Sequence, residues 1–482
     1  MVFSSLTFLY LFLTLTLAAY YLAPARARNG VALAASLVFF AWGAPRFVLV
    51  LVAGCLLDYV IGQRLVPEAT GATAGRRRWL TIGLVGNLAL LLYFKYANFG
   101  VEQLNALLAL AGREPLAWTR VALPIGISFF TFQKISYLVD VFRGTAQPAA
   151  NFGRYLLYIA LFPQLIAGPI VRYHDVATQL ESRQCDAEDR LAGAWRLALG
   201  LAKKCLLANP LALLADQAFA AAPGTLGAGA AWAGLYAYAL QIYFDFSGYS
   251  DMAIGLGRMM GFRFLENFDF PYISRGMVEF WRRWHISLGN FMRDYLYIPL
   301  GGNRVSPARR NFNLWVVFLL SGLWHGASWN FVVWGAWHGL WIVADKKLAG
   351  PRHAPRKRPA VLAVPVTFLL VLIGWVFFRA ETLPAAATYL RALTGLAATA
   401  AATPLPALTD PRTMTAMLLG TGLAFAPLLI GREPSHEWTV ADGTPGAAGR
   451  ILLRTAATMT LIGLSTLPLL LGGFNPFIYF RF

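Results

Sequence analysis

The chain has 482 residues, of which 58% are hydrophobic and only 13% are charged. Soluble domains carry about 25% charged residues, so this composition is typical of a membrane protein and excludes an ordinary soluble enzyme. The net charge of +18 does not indicate nucleic-acid binding, because the basic residues lie in short loops, where they favour the cytoplasmic face and anionic lipid headgroups.

Apolar runs long enough to cross a bilayer recur from one end of the chain to the other. They are continuous, whereas the strands of a closed barrel alternate apolar and polar residues, so we expect helical spans. The sequence therefore predicts an all-α polytopic membrane protein of about 11–13 helices. The predicted spans are 3–23, 30–43, 46–62, 79–97, 120–142, 152–170, 192–215, 228–246, 311–322, 326–344, 360–378, 412–430 and 451–472.

Basic residues around the spans predict the orientation of the chain. No basic residue precedes the first span, and Arg26 and Arg28 follow it. We therefore expect a retained helix with its N-terminus outside, rather than a signal peptide. The two densest basic loops, 75–78 and 346–358, are expected to be cytoplasmic.

Residues 263–310 contain eight arginines and too few unbroken apolar residues to span, so we expect an interfacial or re-entrant segment. On a helical wheel of about 100° per residue, residues 279–302 place aromatic side chains on one side and arginines on the other. His285 falls on the aromatic side, which predicts that it points into the protein, as a core histidine or as a site residue. Arg282 and Arg293 fall on the polar side, which leaves open contact with lipid headgroups or with the phosphates of a donor.

The segment SGLWHGASWNFVVWGAWHG (321–339) repeats the tripeptide Trp-His-Gly, with histidines at His325 and His338. On a continuous helix, thirteen residues separate their directions by about 140°, so at most one is expected to act directly at a shared site. Gly335 and Gly339 flank His338 and favour close helix packing, which predicts a buried hydrogen bond for that ring. His325 is the stronger candidate for a catalyst.

Two acidic residues in FDFSGYSD, Asp245 and Asp251, follow an apolar run. A carboxylate at membrane depth is a functional hypothesis by default, but we favour a structural ion pair with an arginine such as Arg258 or Arg275. No serine-nucleophile elbow occurs in the sequence. No metal-ligand spacing occurs either, and the three cysteines suggest none, so no metal site is predicted.

Several long segments, in this order along the chain, resemble the membrane-bound O-acyltransferase family. The resemblance covers most of the chain and is weakest at 397–450. The segments are MVFSS (1–5), PIGISFFTFQKISYLVDVFRG (124–144), FPQLIAGPIVRY (162–173), QIYFDFSGYSDMAIGLGRMMGF (241–262), WRRWHISLGNFMRDYLYIPLGG (281–302), SGLWHGASWNFVVWGAWHG (321–339) and FNPFIYFRF (474–482).

The resemblance implies a helical bundle around a central tunnel, with re-entrant and interfacial helices. It implies one membrane-embedded domain over residues 1–482, with a catalytic core at about 121–345 and peripheral helices at 1–100 and 360–482. It also implies a multi-pass protein of the bacterial inner membrane.

For the site, the resemblance implies that His325 is the essential histidine and that His285 is its second polar residue. A neutral imidazole suits removal of a hydroxyl proton, because its ordinary pKa of about 6.5 lies near working pH. His285 would orient that imidazole or hydrogen-bond the developing oxyanion. A covalent acyl-histidine intermediate is a variant that the sequence leaves open.

The expected donor is acetyl-CoA or another acyl thioester, used as a substrate, with no bound cofactor and with Arg282 and Arg293 as candidate phosphate ligands. The resemblance further implies a periplasmic acyl-transferring partner protein and an exported, alginate-like polysaccharide as acceptor. Cellulose, peptidoglycan and teichoic acid (by D-alanyl transfer) stay open as acceptors. A transporter or flippase is the alternative from a different class, although the sequence lacks the paired repeats of many transporters.

Overall fold

A computed structural model of the protein describes residues 1–66, 73–166, 168–348, 359–396, 405–431, 447–472 and 475. Within these residues every regular element is helical, and the only β-type pairing is an isolated antiparallel bridge between Phe268 and Trp284. The all-α prediction is confirmed. The α-helices are α1 Leu13–Leu22, α2 Arg28–Gly43, α3 Val48–Gln63, α4 Thr73–Leu91, α5 Ala97–Leu110, α6 Ile127–Arg143, α7 Phe152–Ala160, α8 Phe162–Leu165, α9 Tyr173–Glu181, α10 Ala187–Ala202, α11 Asn209–Phe219, α12 Ala228–Met259, α13 Met277–Arg283, α14 Ile286–Met292, α15 Pro307–His325, α16 Trp329–Leu348, α17 Ala360–Arg379, α18 Leu383–Leu393, α19 Pro411–Ala424, α20 Ala426–Ile430 and α21 Ala447–Leu470.

Among the described residues, five helical stretches are long and apolar enough to cross a membrane. Outward-facing leucines on them, such as Leu49 and Leu107, are exposed, as expected for a surface that contacts lipid. Not every predicted span is one helix: within the predicted span 152–170, residues 152–165 form α7 and α8, with Pro163 in the first turn of α8. The five stretches are Pro45–Gln63, Thr73–Leu110, Ala187–Phe219, Ala360–Arg379 and Ala448–Leu470.

The chain forms two compact units, Met1–Arg190 with Leu256–Leu265, and Leu191–Gly255 with Glu266–Phe482. In the first unit, the Lys134 ammonium lies 3.0 Å from the Asp58 carboxylate, and both side chains are buried. The second unit carries every candidate site residue. The assignment of a core at about 121–345 within one domain stays a prediction, as does the central tunnel.

Helices α15 and α16 pack closely because glycines lie at their contact. A Cβ atom at Gly322 would collide with the carbonyl oxygen of Phe331, and one at Gly335 would collide with that of Phe318. The prediction of close packing near Gly335 is confirmed. This contact holds the two Trp-His-Gly motifs on adjacent helices.

Helices α10 and α12 approach each other in the same way. A Cβ atom at Gly200 would lie 2.7 Å from the Met252 nitrogen, and one at Gly255 would lie 2.5 Å from the Gly193 oxygen. Glycine therefore lets the two backbones meet. The close approach brings the acidic residues of α12 beside the basic residues that begin at Arg196.

Part of one predicted loop lies outside the described residues. The basic loop 346–358 is described only as far as residue 348, where α16 ends. Its cytoplasmic placement stays a prediction.

Candidate active site

The two Trp-His-Gly motifs lie on antiparallel neighbours, not on one continuous helix. His325 is the last residue of α15, and Gly326 after it is extended, with φ −163° and ψ 149°. Helix α16 begins at Trp329 and carries His338 in its interior. The chain reverses between the motifs, so the angle of about 140° expected for a continuous helix does not apply.

The reversal packs both histidines against one indole. The centre of the Trp334 ring lies 5.1 Å from that of His325 and 4.9 Å from that of His338, each in an edge-to-face arrangement. Phe378 of α17 contacts His325 from another side, at 5.2 Å. The His325 side chain is therefore held in an aromatic wall and is only 7% exposed.

His338 is buried more deeply than His325, with no exposed surface. Its ring lies edge-on to Trp281 at 5.0 Å. In the part of the chain that the structure describes, neither ring nitrogen has a hydrogen-bond partner, so the predicted buried hydrogen bond is wrong. Aromatic packing at a close helix contact is what holds this ring, since a Cβ atom at Gly374 would lie only 2.5 Å from its Nε2.

His285 interrupts the amphipathic segment that the sequence predicts as one helix. Helix α13 ends at Arg283 and α14 begins at Ile286, because His285 takes a left-handed conformation with φ 46° and ψ 54°. The bridge between Phe268 and Trp284 draws the chain out of the helix at this point. The interior position of His285 is confirmed, at 1% exposure, although the wheel argument that predicted it fails at the break.

A non-glycine residue in the left-handed region stores backbone strain, and such residues cluster at functional sites. Asn267 holds His285 in this conformation with both its backbone and its side chain. Its carbonyl oxygen accepts from the Ile286 nitrogen at 2.9 Å. Its side-chain Oδ1 accepts from Ser287 Oγ at 2.8 Å and lies 3.1 Å from His285 Nδ1.

The sequence reasoning missed Asn267 for a physical reason. The residue lies in an irregular stretch between α12 and α13, where no helical periodicity assigns it a direction. Its Nδ2 donates to Ser250 Oγ on α12 at 3.0 Å. Burial of this region lowers the pKa of His285 to about 3, so the imidazole is neutral at rest.

The two candidate histidines meet around a second indole. The Trp324 ring centre lies 4.9 Å from that of His325 and 6.2 Å from that of His285. Phe246 of α12 closes the other side of His285, edge-on at 4.7 Å. The structure thus brings His285 and His325 into one aromatic cluster, in a setting that keeps water away from both.

The two arginines proposed for phosphate binding are both exposed. The break at His285 separates them, so the wheel relation that placed them on one surface does not hold. Arg293 forms two hydrogen bonds with the neighbouring Asp294, at 2.7 and 3.0 Å, which partly neutralises its charge.

Arg282 belongs to a basic cluster that sequence reasoning did not find. Burial lowers the pKa of Lys346, and the positive charges of Arg310 and Arg282 lower it further, so the three cations lie near one another. Lys346 also lies over the Tyr297 ring at 5.6 Å. Such a cluster is an electrostatic site for an anion.

The acidic residues of α12 form ion pairs, as the favoured interpretation expects, but with other partners. Asp245 pairs with Lys204 at 2.7 Å. Asp251 pairs with Arg196 at 2.7 Å and with Lys203 at 2.6 Å. Helix α10 and the π-helical turn Lys203–Ala208 that follows it supply these cations.

Arg258, one of the two arginines named from the sequence, instead forms an ion pair with Asp189, at 3.3 Å. Among the described residues, no group of three or more histidine, cysteine or acidic side chains is placed to hold a metal ion. The candidate site consists of the buried imidazoles of His285 and His325, with Asn267 positioned by hydrogen bonds beside His285.

Comparison with known proteins gives consistent results. The model of MBOAT, the membrane-bound O-acyltransferase family, matches residues 119–379. The chain is 43% identical over 504 residues to a probable alginate O-acetylase AlgI of Azotobacter vinelandii, covering all of both proteins. It is 50% identical over 386 residues to the probable alginate O-acetylase AlgI of Pseudomonas aeruginosa, covering 80% of this chain and 73% of that one. It is 34% identical over 432 residues to a peptidoglycan O-acetyltransferase of Helicobacter pylori, covering 82% and 80%.

Proposed function

Because this chain belongs to the membrane-bound O-acyltransferase family and is an acyltransferase, we propose that it moves an acetyl group from a cytoplasmic thioester donor across the inner membrane for O-acetylation of an exported, alginate-like polysaccharide. The observation that carries the proposal is the placement of His325, the histidine of the family motif, beside His285 in one buried aromatic cluster. The relatives named as alginate O-acetylases support alginate as the acceptor.

The proposed reaction moves the acetyl group from a thioester to an oxygen. His325 takes the proton of the attacking hydroxyl while the oxygen bonds to the acyl carbon. The tetrahedral intermediate collapses, the carbon–sulfur bond breaks, and the thiolate leaves and receives a proton. General-base help of this kind is worth about 10²–10⁴ in rate. The surrounding rings of Trp334 and Phe378 exclude water, which would otherwise compete with the hydroxyl for the acyl group.

The proposed donor is acetyl-CoA or another acyl thioester, used as a substrate. Arg282, Arg310 and Lys346 form the cationic region that would hold its phosphates, and the buried Nε of Arg310 has no hydrogen-bond partner within the described residues. Arg293 is the weaker candidate, because Asp294 already engages it. Lipid headgroups present the same phosphate chemistry, so a competition experiment has to separate the two.

A periplasmic partner protein and a bacterial inner-membrane location complete the proposal. The partner would accept the acetyl group outside the cytoplasm and place it on the polysaccharide. The five stretches of the described residues that are long and apolar enough to span support a multi-pass membrane protein, and the exported polymer supports the inner membrane of a bacterium.

Other acceptors within the same chemistry are cellulose, peptidoglycan and teichoic acid. Peptidoglycan is supported by the relative from Helicobacter pylori that is named for it. A transporter or flippase is disfavoured, because the relatives compared above are named as acetylating enzymes.

Purified protein in liposomes, supplied with radiolabelled acetyl-CoA, tests the proposal. Alginate, cellulose and peptidoglycan fragments would be offered separately, with and without a candidate periplasmic acyl-transferring protein. We expect label on alginate only when both proteins are present. Label on peptidoglycan alone would change the acceptor, and label on none of the three would reject the proposed reaction.

A further inference from the structure

We infer that Asn267 is a positioning residue that fixes the proton of His285 on Nδ1 and so presents an unprotonated Nε2 to the site. This inference rests on the proposed function for its chemical meaning, but the position of the proton is a property of the folded protein. It restricts His285 to accepting a hydrogen bond, whereas the sequence also allowed it to hydrogen-bond the developing oxyanion.

The hydrogen bonds around Asn267 determine which atom faces His285. The backbone nitrogen of Ser287 lies 3.2 Å from Asn267 Oδ1, and a backbone N–H can only donate. The atom facing it is therefore the amide oxygen, not the amide nitrogen. The other end of the amide agrees, since Nδ2 donates to Ser250 Oγ at 3.0 Å.

The same oxygen then fixes the tautomer of His285. Ser287 Oγ has one proton and donates it to Asn267 Oδ1 at 2.8 Å. His285 Nδ1 lies 3.1 Å from that oxygen, a contact between two acceptors unless Nδ1 carries a proton. A neutral imidazole has only one N–H group, so Nε2 holds a lone pair.

The lone pair of Nε2 is buried. Among the described residues it has no hydrogen-bond partner, so it is available to a group that enters the site. A lone pair accepts a hydrogen bond and repels an oxyanion. His285 is therefore an acceptor, for the attacking hydroxyl or for an imidazole N–H, and it does not stabilise the oxyanion.

Asn267 is itself held from two directions. Ser250 and Asp251 are adjacent on α12, and Glu266 and Asn267 are adjacent in the segment that follows it. Ser250 bonds Asn267 directly, while Asp251 and Glu266 are joined through Arg196, whose Nη1 lies 2.9 Å from Glu266 Oε1. These two parallel connections restrict the amide to one orientation.

No ionisable side chain contacts the His285 ring among the described contacts, which are made by Phe246, Trp324, Asn267 and Ser287. Two of these contact residues have an acidic neighbour in the sequence. Asp245, next to Phe246 on α12, forms an ion pair with Lys204, and Glu266, next to Asn267, forms one with Arg196. A charge introduced at position 267 should therefore change the pKa of His285 with little opposing effect from other charged side chains.

Two substitutions at Asn267 separate positioning from structure. Asn267→Leu keeps the branched shape of the side chain and removes the acceptor. We expect the turnover number to fall about 10–100-fold, the loss typical for groups that orient a histidine ring, with little change in KM. Asn267→Asp keeps an acceptor for Nδ1–H and adds a negative charge, which favours the protonated imidazole. We expect it to retain transfer at high pH and to move the acidic limb of the rate profile to higher pH.

Asn313→Leu is the matched control, because Asn313 is also fully buried and donates to a backbone carbonyl, that of Leu300, at 3.0 Å. We expect it to lower stability without moving the pH profile. If Asn267→Asp instead gained transfer at low pH, a protonated His285 would be the active form, and the inference would be overturned.

Nitrogen NMR of ring-labelled histidine gives a readout that needs no turnover. The difference between spectra of the unsubstituted protein and His285→Gln isolates the His285 signals. We expect a protonated Nδ1 and an unprotonated Nε2, and the reverse pattern would reject the assignment. If the unsubstituted protein transferred no acetyl group, the proposed function would fail while this measurement would still decide the proton position.

Discussion

Replacing Arg196 by methionine tests how the buried ion pairs stabilise the second unit. The Arg196 and Asp251 side chains are each only 6% exposed and lie 2.7 Å apart. Removing one partner of a buried ion pair costs about 3–5 kcal/mol, because the other charge stays buried without its partner. Lys203 still engages Asp251 at 2.6 Å, so we expect the low end of that range, about 3 kcal/mol.

A loss of about 3 kcal/mol is roughly a hundredfold change in the unfolding equilibrium. Tryptophan fluorescence during titration with a denaturing detergent in mixed micelles measures it. Glu266→Gln is the control, because Glu266 is 42% exposed in its pair with Arg196 and should lose less than about 1 kcal/mol. Equal stabilities for Arg196→Met and Glu266→Gln would show that burial does not set the strength of this network.

Three further predictions concern pH, the donor and packing. Hydrogen bonds to Asp140 and a second aspartate raise the pKa of His174 from 6.5 to about 9. The stabilisation by protonated His174 is therefore complete below pH 6.5 and disappears as the pH rises through 9. Unfolding curves of His174→Asn should lack this pH dependence, and a dependence equal to that of the unsubstituted protein would contradict the prediction. Arg282→Gln should raise the KM for acetyl-CoA about tenfold or more by removing a charged hydrogen bond, whereas Arg293→Gln should change the KM little. Equal changes in KM for the two variants would indicate that both arginines contact lipid headgroups and not the donor. Gly200→Ala should cost about 1–3 kcal/mol of unfolding free energy by overpacking against α12, whereas alanine at Gly86, which has open space around it, should cost nothing.

The composition and the continuous apolar runs of the sequence were sufficient to predict an all-α membrane protein. Continuous apolar runs have only one stable form in a bilayer, so the fold class followed directly. The interior position of His285 was predicted from a helical wheel. The position is confirmed, although the chain leaves the helix at this residue and the wheel does not apply there.

The details of the site depend on long-range contacts that a helical wheel does not contain. The wheel assumed a continuous helix through His285, whereas pairing of Phe268 with Trp284 breaks it. Asn267 lies in an irregular stretch, so no pattern marked it as a neighbour of His285. Asp251 forms an ion pair with Arg196 and not with Arg258, because glycines bring α10 against α12. That contact joins residues far apart in the chain, so no local pattern predicts it.

The central claim, that His325 is the general base, is tested most directly by single-turnover transfer of labelled acetyl group per folded molecule. His325→Ala and His338→Ala would be compared in liposomes, at equal amounts of folded protein. We predict that His325→Ala loses about 10²–10⁴ in rate. His338→Ala should lose stability and keep measurable transfer per folded molecule, because aromatic rings such as those of Trp281 and Trp334 pack against the His338 ring. An active His325→Ala protein beside a folded but inactive His338→Ala protein would contradict the account.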